Sequence, residues 1–189
     1  QADHYMTPAS NVKLLTFLAA IENFDSLPAL YYQDKDPITH FKSTGYPLLL
    51  HPLYPDTELF SFLKQKQSLV YYKPKSKIKS QGPGWSWDDY SYYYAAEMSP
   101  FPIYGNTLQG FRDHNAPKFT PGSFETLLTR DTLAKNLKRE RFKNRFHYNP
   151  KKWNVSDTLY RPFITSDYIF VSLLKDHLNL PVHLSNESE

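Results

Sequence analysis

Ser10 and Lys13 are the residues of this chain best placed, by type and spacing, to do chemistry. They lie in Thr7-Pro8-Ala9-Ser10-Asn11-Val12-Lys13, which runs into the apolar stretch Leu14 to Ile21. A serine hydroxyl is a weak nucleophile until a neighbouring base takes its proton. Thr7 reads as a helix N-cap, Pro8 suits the first helical position, and a helix is expected from Pro8 to Asn23. Ser10 and Lys13 then share a face one turn apart, with about 5–6 Å between their Cβ atoms. Lysine serves as the base only where its ammonium form is disfavoured. The apolar stretch predicts burial, and the positive end of the helix dipole lies close by. The same helix end offers backbone N–H groups to a developing oxyanion.

Ser-x-x-Lys occurs four times, recurring at Ser61/Lys64, Ser76/Lys79 and Ser172/Lys175. These three read as solvated pairs on an amphipathic helix, in a lysine-rich loop and on a late helix. Ser10 alone combines a cap, a proline and a long apolar continuation.

Composition narrows the classes. The chain has 189 residues, 22% charged and 40% hydrophobic, which indicates a folded rather than a disordered protein. Its 15 Tyr, 13 Phe and 15 Pro favour strands, turns and ordered irregular segments over a helical bundle. A net charge of +3 does not by itself point to nucleic acid, and the absence of cysteine removes disulfide and thiol chemistry. No apolar run approaches the ~20 residues of a membrane span. The chain opens at Gln1, so any export signal is expected to be removed or left out.

The elements that must position the serine are two helical ends around a strand-rich middle. Short strands are expected at Leu30–Tyr32 and Ile38–Phe41 about a turn at Asp34-Lys35-Asp36. A helix follows over Asp56–Gln65 and a strand over Ser68–Tyr72. Next come the basic loop 73–77 and a turn at Gln81-Gly82-Pro83-Gly84. Phe124–Leu128 reads as a strand or turn and Arg145–Tyr148 as an aromatic strand. Ser166 caps a last helix reaching Leu180.

Met6 to Thr16 resembles the active-serine motif of the D-alanyl-D-alanine carboxypeptidase/endopeptidase family, the class C low-molecular-mass penicillin-binding proteins. Gly82-Pro83-Gly84-Trp85-Ser86-Trp87-Asp88-Asp89-Tyr90 is similar to a Gly-x-x-Trp-x-Trp-x-Asp stretch of that family's inserted region. Tyr93-Tyr94-Ala95-Ala96 and Tyr104-Gly105-Asn106 also fit it. Gly45-Tyr46-Pro47 stands where many relatives have Gly-Asp-Pro, and Arg161 to Ser166 resembles the return to the transpeptidase domain.

The resemblance implies an α+β fold: part of a serine transpeptidase/β-lactamase-like domain, carrying the nucleophile helix and a later helix, with a strand-rich inserted domain. The implied segments are 1–24 for the nucleophile helix, 25–160 for the insertion and 161–189 for the return. Ser10 is the implied nucleophile, and its backbone N–H an oxyanion donor; Lys13 is the implied general base. The implied partners are peptidoglycan stem peptides and β-lactam antibiotics, in the periplasm, with no metal or organic cofactor and no nucleic acid. The family also uses Ser-x-Asn and Lys-Thr-Gly. Neither occurs here: Lys42-Ser43-Thr44-Gly45 carries an extra residue and comes too early. The expectation is therefore a fragment of a longer enzyme, inactive alone.

A different class stays open, a non-catalytic module binding cell-wall glycan or another polyanion. Trp85, Trp87, Tyr90 and Tyr92 to Tyr94 can stack on sugar rings or pack the insertion. Lys64 to Lys79 and Lys135 to Lys152 are basic with interleaved aromatics, as solvated loops or as a surface for anionic polymer. Asp88 and Asp89 suit an acid–base pair or, as neighbours on opposite strand faces, turn and capping roles. The seven histidines show no metal-ligand spacing.

Overall fold

Burial alternates along the two central strands of the first of three small sheets. Thr39 and Phe41 of β2 (Ile38–Ser43) and Leu69 and Tyr71 of β3 (Ser68–Lys73) point inward, their neighbours outward. β1 (Leu30–Lys35) forms an antiparallel hairpin with β2 through Asp36–Pro37, so Lys35 stays in the strand. β2, β3 and β10 (Val182–Ser188) then run parallel, giving the order β1-β2-β3-β10. The computed structural model describes residues 3–75, 77–114, 116–154 and 156–188; Ser76 of the third Ser-x-x-Lys pattern lies outside them.

Parallel neighbours need crossovers, and two helices supply them. α2 (Thr57–Lys64) joins β2 to β3, capped by Asp56, which accepts from the N–H groups of Glu58 and Leu59. α3 (Asp167–Leu178) precedes β10, is capped by the Ser166 hydroxyl, and ends at Asn179 in the left-handed conformation. Phe170 of α3 packs against Tyr71 and Phe101, with ring centroids 4.8 and 5.0 Å apart. Ser61 and Lys64, like Ser172 and Lys175, lie on the solvent sides of α2 and α3.

The other sheets come from the middle of the chain. β4 (Thr107–Asp113) lies between β5 (Ala116–Thr120) and β9 (Leu159–Pro162), all antiparallel. β8 (Phe146–Tyr148) lies between β6 (Leu128–Arg130) and β7 (Leu137–Arg139). Phe124, expected in a strand or turn, sits in a 3-10 helix over Gly122–Leu127 just before β6. The expected boundary at 160/161 falls inside β9, and β10 of the expected return shares a sheet with β1 to β3 of the expected insertion.

Tyr104, Gly105 and Asn106 form a left-handed turn before β4, with φ of 55°, 59° and 53°. Such a backbone is unfavourable outside glycine, so the surroundings must hold it. Tyr104 N–H donates to the Leu49 carbonyl, and the Asn106 amide donates to the Glu97 carbonyl and the Ser99 hydroxyl. This motif organises backbone where several segments meet.

The N-terminal helix departs from expectation in two ways. Pro8, not Thr7, stands at the N-cap of a 3-10 turn over Ala9–Asn11, and no side chain caps the turn, since the proline ring carries no acceptor. α1 (Val12–Asn23) follows directly, and none of its residues is buried. Leu14, Leu15 and Phe17 are 68%, 69% and 65% exposed, so the burial expected of this apolar stretch is not present. The core lies elsewhere, in the cluster that includes Phe41, Tyr71, Phe101 and Leu174.

Candidate active site

Helical rise and pitch bring Ser10 and Lys13 together: Nζ of Lys13 donates to Oγ of Ser10 across 2.9 Å. Ala9, immediately before the serine, has φ of 45°, an uncommon conformation for a residue with a Cβ. Both members of the pair are exposed. A lysine that acts as base must accept the hydroxyl proton, which reverses the direction of this hydrogen bond. Water around an ammonium favours its charged form, so the reversal calls for a drier setting than this helix supplies.

Lys42-Ser43-Thr44-Gly45 has a structural role at the end of β2. Ser43 donates to the Pro100 carbonyl at 2.7 Å, and Thr44 to those of Pro28 and Ala29 at 2.6 and 2.9 Å. The following Gly45 adopts φ of 88°, and the Tyr46 hydroxyl donates to the cap residue Asp56. Burial, with that carboxylate, pushes the Tyr46 hydroxyl up to about 12.

The aromatic stretch is exposed rather than core: Trp87, Tyr93 and Tyr94 are 65%, 67% and 58% accessible. Tyr92 and Tyr94 stack with centroids 5.4 Å apart and planes at 6°. The Arg141 guanidinium lies 4.1 Å from the centre of the Trp87 ring. Asp88 accepts from Ser86 and Asp89 from Tyr94, so the two carboxylates serve separate local hydrogen bonds. Among the described residues, no group of three or more acidic or histidine side chains could hold a metal, and no helix is long and apolar enough to cross a membrane.

Sequence reasoning did not pair Arg139 with Arg161, which line one cavity. They come together only because β7 and β9 belong to sheets that abut. Arg139 lies in the basic run 135–152 and Arg161 opens the segment 161–166, but neither local pattern ties one arginine to the other.

The chain is similar to the crystal structure of penicillin-binding protein 4 (dacB) from Haemophilus influenzae, with a TM-score of 0.61 and 16% identity. The likeness covers 97% of this chain and 49% of that one. This chain therefore has a mixed α/β fold like that of part of that protein, and it spans about half of that protein's length. No protein-family model matches the chain, and no curated protein does.

Proposed function

We propose that the chain is part of a serine D-Ala-D-Ala carboxypeptidase/endopeptidase of the extracytoplasmic cell wall, with Ser10 as nucleophile and Lys13 as its base. The observation that carries this reading is the 2.9 Å Lys13–Ser10 contact at the start of a helix, within a fold shared with a penicillin-binding protein. Lys13 takes the hydroxyl proton as Oγ attacks the carbonyl of the terminal D-Ala–D-Ala bond. The C–N bond then breaks, the proton held by Lys13 passing to the nitrogen of the departing D-Ala, and water hydrolyses the resulting acyl ester. The Ser10 backbone N–H is one arm of the oxyanion hole.

The site so described is incomplete in this chain, which lacks Ser-x-Asn and Lys-Thr-Gly. The apolar residues of α1, exposed here, support its packing inside a transpeptidase domain in the complete enzyme, the dry setting that Lys13 requires. β-Lactams acylate the same hydroxyl. Fluorescent penicillin tests this in the complete enzyme: covalent label is expected, and its persistence in Ser10→Ala rules out this nucleophile. The 189-residue chain alone is expected neither to label efficiently nor to turn over substrate.

A second reading, a glycan- or polyanion-binding module, is favoured by the exposed Tyr92 to Tyr94 and by Trp87, whose ring lies beside Arg141. Retention on purified sacculi that does not depend on Ser10 is its signature.

A further inference from the structure

Arg139 is 2% exposed, and no acidic side chain pairs with it. Its Nη1 donates to the carbonyls of Glu140 and Arg141 and its Nη2 to that of Tyr90, while the buried Nε has no acceptor. Arg161 is half-buried. Its Nε donates to the Leu137 carbonyl at 2.6 Å, Nη1 to that of Tyr160 at 2.7 Å, and Nη2 to the Asn136 side chain at 3.3 Å. A guanidinium has five N–H groups, so one on each terminal nitrogen of Arg161 is left without a protein acceptor. Among the described residues, no carboxylate lies within 4.0 Å of either guanidinium. Burial pushes both groups below the usual arginine range, with Glu97 and Tyr90 partly offsetting it at Arg139 and Tyr92 at Arg161.

Both arginines line one open cavity of about 720 Å³. Five Lys and Arg side chains face two carboxylates there, Asp131 and Glu140. Those two flank His147, whose Nε2 is 3.0 Å from Glu140 and whose Nδ1 is 3.9 Å from Asp131. The cavity thus carries a surplus of positive charge. Arg161 also lines a second cavity of about 450 Å³ with Leu53, Tyr93 and Tyr160. A charged fork between a basic hollow and an aromatic one suits a carboxylate with apolar groups beside it, since planar guanidinium matches planar carboxylate.

We propose that the cavity walled by Arg139 and Arg161 binds the free carboxylate of a peptide, Arg161 touching it and the buried Arg139 supplying positive potential. Naming that peptide as a peptidoglycan stem rests on the proposed peptidase function, and the site is separate from Ser10. Lys135 and Lys138, exposed at the rim, draw the anion in.

The test is calorimetric titration of the 189-residue chain with a stem pentapeptide ending in D-Ala–D-Ala, and with its C-terminal amide. A charge-assisted hydrogen bond predicts about 10-fold or tighter binding of the acid. Lys135→Glu/Lys138→Glu is expected to weaken the acid by about 10-fold and leave the amide unchanged; these exposed positions leave the fold intact. Arg161→Gln, checked for native circular dichroism, is expected to abolish the preference for the acid. Equal binding of acid and amide, or indifference of the acid to the double charge reversal, overturns the proposal. The measurement does not involve Ser10: binding here with no penicillin label on the complete enzyme sinks the nucleophile reading alone.

Discussion

The Tyr104 hydroxyl and Nδ1 of His177 lie 2.7 Å apart, joining the left-handed turn before β4 to the last turn of α3. Burial lowers the His177 pKa, Lys64 adding to the effect, and pushes the Tyr104 hydroxyl up to about 12, so a neutral ring meets a protonated hydroxyl at neutral pH, the ring tautomer setting which of them donates. Phe60 packs edge-on against the same imidazole at 5.0 Å. Tyr104→Phe is expected to cost about 0.5–1.5 kcal/mol in urea unfolding, through loss of this bond.

Acid should weaken the fold through the same group. A histidine whose folded pKa is depressed leaves the unfolded chain to bind protons first. Stability is then full above the ordinary histidine value of about 6.5 and is lost as pH falls through the folded one. His51, lowered by burial while its Nδ1 accepts from the N–H groups of Leu53 and Tyr54, acts in the same direction. Urea midpoints at pH 7.5 and pH 5 should show this fall, and His177→Gln should reduce it. A midpoint that does not change between these pH values would refute this assignment.

Gly105 sits in the left-handed turn, where a Cβ would meet the His51 ring at 3.1 Å. Gly105→Ala combines an unfavourable φ with that contact and is expected to destabilise by about 1–3 kcal/mol. Thermal unfolding measures it, and an unchanged midpoint would mean that the turn is not held as described.

Lys13→Met removes the proposed base while retaining an unbranched side chain. In the complete enzyme, penicillin acylation should slow by about 10²–10⁴-fold. Stopped-flow labelling decides this, and an unchanged rate assigns proton removal to another group.

Phe17 on α1 is 65% exposed, so Phe17→Ser should alter the stability of the 189-residue chain by no more than about 0.5 kcal/mol. In the complete enzyme the same change should reduce labelling, because the proposed function has this residue covered there. A large loss of stability in the chain alone would place α1 in its core.

Local signals in the sequence determined much of this. The apolar stretch after Pro8 is a helix, Asp56 and Ser166 cap α2 and α3, and β1, β2 and β3 form on the runs Leu30–Tyr32, Ile38–Phe41 and Ser68–Tyr72. The Ser10–Lys13 contact also belongs here, since three residues of helical backbone are enough to make it. Tertiary structure decided what local pattern cannot encode. β4, β5, β7 and β9 are short or rich in Gly, Pro and Arg, and they exist because partners complete their hydrogen bonds. Burial of α1 was expected from its composition, yet burial depends on what packs against a helix, and here nothing among the described residues covers it. Arg139 and Arg161, 22 positions apart in sequence, share one cavity because two sheets meet there, and side chains brought together by sheet contacts leave no periodicity in the chain.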